Sequence, residues 1–282
     1  MQIKTIHLDD PYIFKTWKFS GGEVGVRLLD ESILDKKIRL FARINSSDDL
    51  MKLLLANECL DSCEHVELYL PYFPYSRQDR ACSKGDSFSL KVMCELLETC
   101  HFTKIHTFDM HSEVIRKHLT TPLNLIDNVR FASQILSDQL PNIDYIVAPD
   151  AGALPKIIKL SDAMGGFPYI SADKKRDSVT GNILGLKFPD GTPDLTGKNL
   201  LVLDDVADGA GTFLGLAQEA KNLGAAKLYL AVSHGIFSKG LDCIYEYYDQ
   251  IFTTNSFRTQ EQYDELFPDN GLVVWDLLSE IF

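Results

Sequence analysis

Asp204 and Asp205 stand side by side, and Asp208-Gly209-Ala210-Gly211-Thr212 follows almost at once. Four apolar residues, Leu200 to Leu203, precede the pair and read as a buried parallel strand, too short to be a helix of their own. The aspartates then fall where such a strand ends, at the edge of an α/β sheet where ligands bind. Leu214 to Leu223 reads as a helix. The small-residue turn therefore feeds a helix N-terminus, whose N–H groups and dipole favour an anion. Two carboxylates beside an anion cradle suit a phosphorylated sugar, the acids accepting from its hydroxyls and the turn holding its phosphate. The same residues also suit an ordinary strand–turn–helix in which glycines only permit tight geometry. The acidic pair favours a site.

Three further clusters carry chemistry. Arg77-Gln78-Asp79-Arg80 follows a strand, where arginine can fork onto phosphate or stack on a base, and Gln and Asp can hydrogen-bond a ring or sugar. A polar loop of this kind is also common solvated surface. Asp109 and His111 sit at alternate positions after a strand, and Asp150 ends another. Imidazole and carboxylate together can hold a divalent ion, although Mg²⁺ takes few protein ligands, and a strand-end histidine can equally be structural. Lys174-Lys175-Arg176 could neutralise charge on a transferring phosphoryl group, with Gly181 and Gly185 allowing the loop to close; the alternative is a solvated charge run.

The elements that must position these groups alternate. Residues 1–45 read as several short strands with a turn at Phe19-Ser20-Gly21-Gly22-Glu23. Helices are expected from Ser47 to about Cys59, Leu90 to about Cys100 (capped by Ser87 or Ser89), Val129 to Gln139, Lys156 to Met164 and near Leu241. Strands are expected at Val66–Leu70, Lys104–Phe108, Tyr145–Ala148, Pro168–Ser171 and Lys227–Val232, with a last one at Ile251–Thr253. Strands alternating with helices imply a mostly parallel sheet. Lys104 to His111 and Lys227 to His234 share a lysine, an apolar strand and a histidine seven residues on, which points weakly to two similar α/β halves. The expected domains are 1–125, to which the tail 264–282 can also belong, and 126–263.

Composition narrows the partners. Across 282 residues, 45% are hydrophobic and 24% charged, which suits one large or two medium domains with substantial cores. A net charge of -12 argues against a broad nucleic-acid or anionic-membrane surface. The six cysteines lack zinc-type spacing and read as reduced thiols of a cytoplasmic protein. No signal-peptide pattern opens the sequence, and no apolar run is long enough to span a bilayer.

Taken in order, Phe19 to Glu23, Pro71-Tyr72-Phe73-Pro74-Tyr75 through Arg80, Asp109-Met110-His111, Ala148 to Gly152, Lys174 to Arg176, Asp204 to Thr212 and Ser233-His234-Gly235-Ile236-Phe237-Ser238 resemble ribose-phosphate diphosphokinase, also called PRPP synthetase. The resemblance implies an α/β fold of two phosphoribosyltransferase-like (type I) domains, each a mostly parallel sheet flanked by helices. It implies transfer of the β,γ-diphosphate of MgATP to the C1 hydroxyl of ribose 5-phosphate, giving PRPP and AMP, by positioning and electrostatics and without a covalent enzyme intermediate. Phe19 and Glu23 would reach the adenine of a neighbouring subunit in a homo-oligomer, dimer or hexamer. Arg77, Gln78, Asp79 and His111 would complete the ATP site, while His111 and Asp150 would hold Mg²⁺ with Asp109 nearby. Lys174 and Arg176 would belong to a catalytic loop, Asp204 and Asp205 would take ribose hydroxyls, and Asp208, Gly209, Ala210, Gly211 and Thr212 would wrap the 5′-phosphate.

The chain also departs from that pattern. The resemblance implies a short, divergent member, one that would lack the helix before the Phe19 strand and would stop early, at Phe282. Gly21 stands where Asp or Asn usually touches adenine, and Gly85 where regulated members carry an arginine, which puts allosteric control by phosphate or ADP in question. Gly209 stands where threonine is usual, removing a hydroxyl and opening space beside the 5′-phosphate. That raises an alternative acceptor, a 5′-substituted ribose such as ADP-ribose in NAD salvage; the plainer account is a glycine that only tunes the turn while ribose 5-phosphate still binds through N–H groups. Two other classes compete. A non-catalytic synthetase-associated subunit would have lost catalytic side chains that are present here, and an ordinary phosphoribosyltransferase would not need two halves or the Arg77–Arg80 loop.

Overall fold

A computed structural model describes residues 2–176, 183–268 and 271–281, with backbone alone at 174–176, 183–185 and 281. The chain divides into two units, Met1–Asp127 and Asn128–Phe282.

The first unit runs β1 (Ile3–His7), β2 (Phe14–Lys18), β3 (Val24–Leu28), β4 (Lys37–Phe41), α1 (Ser47–Cys59), β5 (Val66–Tyr69), α2 (Ser89–Glu98), β6 (Lys104–Phe108) and β7 (Leu123–Ile126). β2 and β3 form a separate hairpin, and the remaining strands make a parallel five-stranded sheet ordered β1-β4-β5-β6-β7. Winding in one direction with right-handed crossovers places α1 and α2 on one face. There Ile6, Ile38, Leu40, Leu68 and Ile105 pack with Leu53, Ala56, Leu90, Met93 and Leu97 in one buried cluster. α1 starts where expected: the Ser46 hydroxyl accepts from the Asp49 N–H at 3.1 Å, and Asp48 and Asp49 favour the positive helix end. α2 differs. Its N-cap is Phe88, and the expected caps Ser87 and Ser89 bond each other at 2.8 Å. The opposite sheet face carries a stacked row, His7, Phe41, Tyr69 and His106, with ring centroids 5.2, 4.6 and 4.1 Å apart.

The second unit runs α3 (Val129–Gln134), β8 (Tyr145–Ala148), α4 (Leu154–Ala163), β9 (Tyr169–Ser171), β10 (Asp173–Arg176), β11 (Ile183–Lys187), β12 (Asn199–Ala207), α5 (Gly211–Asn222), β13 (Lys227–Gly235), α6 (Asp242–Tyr245), β14 (Gln250–Thr254), α7 (Gln260–Leu266), β15 (Val273–Trp275) and α8 (Leu277–Ile281). Its six-stranded parallel sheet is ordered β15-β14-β13-β12-β8-β9. Val147, Leu200, Val202, Leu228, Leu230 and Ile251 pack against Phe213, Leu216, Ala217 and Ala220 of α5. Only the first part of the expected Val129–Gln139 helix is α; Ile135–Gln139 continues as one wider π-helical turn.

Two expectations are corrected here. The tail 264–282 does not join the first unit: β15 pairs with β14, so the edge of the second sheet lies in that tail and Ile251–Thr253 is not the last strand. The charged run Asp173–Arg176 forms a strand whose backbone pairs antiparallel with β11. All six cysteines are free, and no helix of the described residues is long and apolar enough to cross a membrane.

Candidate functional site

In the second sheet β8 is flanked by β9 on one side and β12 on the other, so the connections leaving it run in opposite directions. Such a switch point opens a crevice beyond the strand carboxyl ends, where ligands bind. Asp150 follows β8, and Asp204 and Asp205 lie near the end of β12. The aspartates are inside the strand rather than beyond it, contrary to expectation. β12 continues to Ala207 because β13 runs on beside it, with Val206 opposite His234 and Ala207 opposite Gly235.

Strand alternation turns the two aspartates to opposite faces. Asp205 is 4% exposed and lies 3.5 Å from the Lys156 Nζ of α4. Asp204 accepts the Asp205 N–H at 2.9 Å. Burial first, and then the charge of Asp205, hold the Asp204 carboxyl well above the ordinary 3.8, and the charge of Asp150 acts in the same direction. Asp204 is therefore within electrostatic reach of both, although Asp205 is turned to the other face. Asp150 is itself fixed by accepting the N–H groups of Gly152 at 2.9 Å and Ala153 at 3.2 Å.

The turn that follows leads into α5. Its left-handed residue is Ala210, at φ 59°, and neither Gly209 nor Gly211 has a positive φ. The backbone thus places no demand for glycine at 209, which removes the account of Gly209 as a tuner of the turn. The space beside it is not open either: a Cβ there would meet the Lys239 Cε at 3.6 Å and Cδ at 3.8 Å. No side chain caps α5, so its first N–H groups, beside the exposed Gly211 and Thr212, suit an anion.

In the first unit Arg77, Gln78, Asp79, Arg80 and His111 line one cleft of ≈ 370 Å³, with Asp86 at its rim. The backbone fixes the loop: the Gln78 N–H donates to the Tyr75 carbonyl at 2.9 Å, and the Gln78 carbonyl accepts the Leu90 N–H of α2 at 3.2 Å. His111 is thereby brought to the loop read as nucleotide-binding. Asp109 is not its same-side neighbour. β6 ends at Phe108, and Asp109 takes a left-handed φ of 40°, which breaks the alternation; Asp109 is 4% exposed, whereas His111 is exposed. At the β2–β3 tip, Phe19 is 53% exposed, and the exposed Glu23 carboxylate folds over Gly21, where a Cβ would meet its Oε2 at 2.5 Å. The side chains of Lys174 and Arg176 and all of Gly181 lie outside the described residues.

Two family patterns cover most of the chain. The pattern of the N-terminal domain of ribose phosphate pyrophosphokinase matches residues 10–100, and that of the phosphoribosyl transferase domain matches residues 116–265. Ribose-phosphate pyrophosphokinase A of Dictyostelium discoideum is 30% identical over 231 residues, which cover 78% of this chain and 69% of that protein. The chain belongs to the ribose-phosphate pyrophosphokinase family.

A ribose-phosphate pyrophosphokinase of Pyrococcus furiosus is 28% identical over 246 residues, covering 86% of this chain and 85% of the relative. The fold is similar to that of the phosphoribosylpyrophosphate synthetase from Mycobacterium smegmatis, with a TM-score of 0.83 over 98% of this chain and 95% of that one at 22% identity. As a ribose-phosphate pyrophosphokinase homologue the protein is a diphosphotransferase enzyme, built from two α/β domains of phosphoribosyltransferase type. Among the described residues no group of three or more His, Cys, Asp or Glu is arranged to hold a metal ion.

Residues that sequence reasoning missed support the second-unit site from a distance. Lys156 reaches Asp205 from α4. Arg258 donates to the Ile236 carbonyl at 2.6 Å, and the Tyr263 hydroxyl donates to the Gly235 carbonyl at 2.6 Å. Each lies tens of residues from the group it serves, so spacing carries no signal for them.

Proposed function

We propose that the chain transfers the β,γ-diphosphate of ATP to the C1 hydroxyl of ribose 5-phosphate, releasing AMP and forming PRPP. The observation that carries this reading is the switch-point crevice, with Asp150 after β8 and Asp204 near the end of β12, and with the turn and uncapped start of α5 following β12. Asp204 accepts from a ribose hydroxyl, and the N–H groups of 209–212 hold the 5′-phosphate. The Arg77–Arg80 loop and His111 take the nucleotide in the first unit.

In the reaction the C1 oxygen forms a bond to the β-phosphorus, the bond from that phosphorus to the bridging oxygen of the α-phosphate breaks, and AMP leaves with the electron pair. The hydroxyl proton passes to solvent. Mg²⁺, when bound, shields the phosphate charges and so permits the approach of the oxygen. Asp150 in the second unit and His111 in the first are the residues that would hold the ion. Lys174 and Arg176 remain the proposed cations at the developing charge. The exposed Phe19 and Glu23 of one copy serve the adenine of another, which makes the working form a homo-oligomer.

The test is a parallel assay with Mg²⁺ and ATP, offering ribose 5-phosphate or ADP-ribose and following AMP and the diphosphorylated product by phosphorus NMR. AMP with ribose 5-phosphate supports the proposal. AMP with ADP-ribose alone replaces the acceptor but keeps the chemistry, and no AMP with either overturns the catalytic reading.

A further inference from the structure

Lys239 belongs to none of the groups assigned above, yet its stem lies against the phosphate turn. Its Cε and Cδ stand 3.6 and 3.8 Å from the position a Cβ on Gly209 would occupy, within ordinary contact distance. The ammonium is one bond beyond that Cε. Lys239 is exposed, and among the described residues it has no ion-pair partner.

The placement is built, not incidental. The Ile236 and Phe237 N–H groups both donate to the Ala207 carbonyl, at 2.8 and 3.0 Å, so the segment bearing Lys239 is anchored on the residue that begins the turn. Phe237 takes a left-handed φ of 49° and is buried, and the Gly240 N–H closes back onto the Phe237 carbonyl at 3.0 Å. Arg258 and Tyr263 hold the Ile236 and Gly235 carbonyls from the other side. A Cβ at 209 would touch the lysine stem at ordinary contact distance and a longer side chain would have to share its space, while the backbone there does not itself require glycine.

We propose that Lys239 is a specificity-determining residue that reaches the anionic 5′ end of the acceptor, and that Gly209 lacks a side chain so that the lysine can do so. This rests on the reading of 208–212 as the acceptor's phosphate turn. A lysine offers a mobile point charge instead of a fixed hydroxyl, which suits a terminal phosphate or the first phosphate of a longer 5′ substituent.

The experiment measures binding of ribose 5-phosphate, ADP-ribose and ATP to the full chain by calorimetry for wild type, Lys239→Met and Lys239→Arg. Methionine keeps most of the stem and loses the charge. The expected result is roughly a tenfold loss of affinity for the acceptor in Lys239→Met, largely restored in Lys239→Arg, with ATP binding unchanged. Wild-type acceptor affinity in Lys239→Met overturns the proposal, as does an equal loss for acceptor and ATP, which would mean that the lysine acts through the fold. If wild type binds neither acceptor, the reading of the turn fails and this proposal falls with it. That outcome is distinct from tight acceptor binding that ignores Lys239.

Discussion

At the scale of single residues, Asp204 combines two demands that oppose each other. A carboxylate held beside Asp205 and under the influence of Asp150 is costly to ionise, so its pKa lies above 3.8 in the folded chain. The folded state then binds more protons than the unfolded chain between 3.8 and that raised value, and stability is lost as pH rises through it. Asp204→Asn removes the cost. Without divalent cations the variant should melt a few degrees higher than wild type at pH 8, the gain shrinking toward pH 4, as followed by circular dichroism. Its kcat/KM for the acceptor should fall by about a hundredfold, because an amide no longer offers the sugar hydroxyl a charged acceptor. A variant as active as wild type would remove Asp204 from the site. This pair and the turn after it were legible in the sequence because their chemistry is contiguous there. Asp109 was misjudged because a left-handed φ of 40° is invisible to an alternation argument.

At the scale of elements, the ends of β12 and β13 decide where the site lies. Sequence periodicity stopped these strands at the last apolar residue, Leu203 and Val232, yet the hydrogen-bonded ladder continues through Asp205 and His234 to Ala207 and Gly235. The extension is held by polar contacts that hydrophobicity does not register. His234 Nδ1 lies 2.7 Å from the Ser256 Oγ, which donates to the Ser233 carbonyl at 2.9 Å. The charged β10 escaped for the same reason, and β15 because three residues are too few for a period to emerge. The Tyr263 hydroxyl on the buried Gly235 carbonyl gives this scale its prediction. Tyr263→Phe should cost about 1 kcal/mol, or roughly 2–4 °C in Tm, with little other disturbance because the ring is retained. Acceptor KM should rise while ATP KM stays constant, since the Gly235 carbonyl belongs to the segment that carries Lys239. An unchanged acceptor KM would uncouple that segment from the site.

At the scale of the whole molecule, the two sheets share a strand–helix rhythm that the sequence displayed, but they wind differently, which no local pattern encodes. The first winds one way only, while the second reverses at β8 and so gains a crevice. The apparent repeat parts at its end: His111 leaves β6 and is exposed, whereas His234 stays buried within β13. The units should also answer acid in opposite senses. On the face of the first sheet opposite α1 and α2, the Asn124 amide lies 3.1 Å from His106 Nδ1, and His106 Nε2 lies 3.0 Å from Glu67, which also meets His65 at 3.1 Å. Burial pulls the His106 pKa below its ordinary 6.5 against the opposing pull of Glu67. Burial would raise Glu67, but the hydrogen bonds of His65 and His106 outweigh it and hold that carboxyl below 4.5. A histidine depressed in the folded state is protonated more readily when unfolded, so its contribution to stability is present above 6.5 and lost as pH falls toward its folded value. Glu67 adds a further loss only at lower pH. Asp204 has the reverse sign in the second unit. Hydrogen exchange of the intact chain, corrected for intrinsic rates, should therefore show β5 and β6 losing protection as pH falls below 6.5 while β12 holds or gains it. His106→Gln should flatten the first trend and leave the second intact; a parallel loss in both units would mean that neither group governs the response.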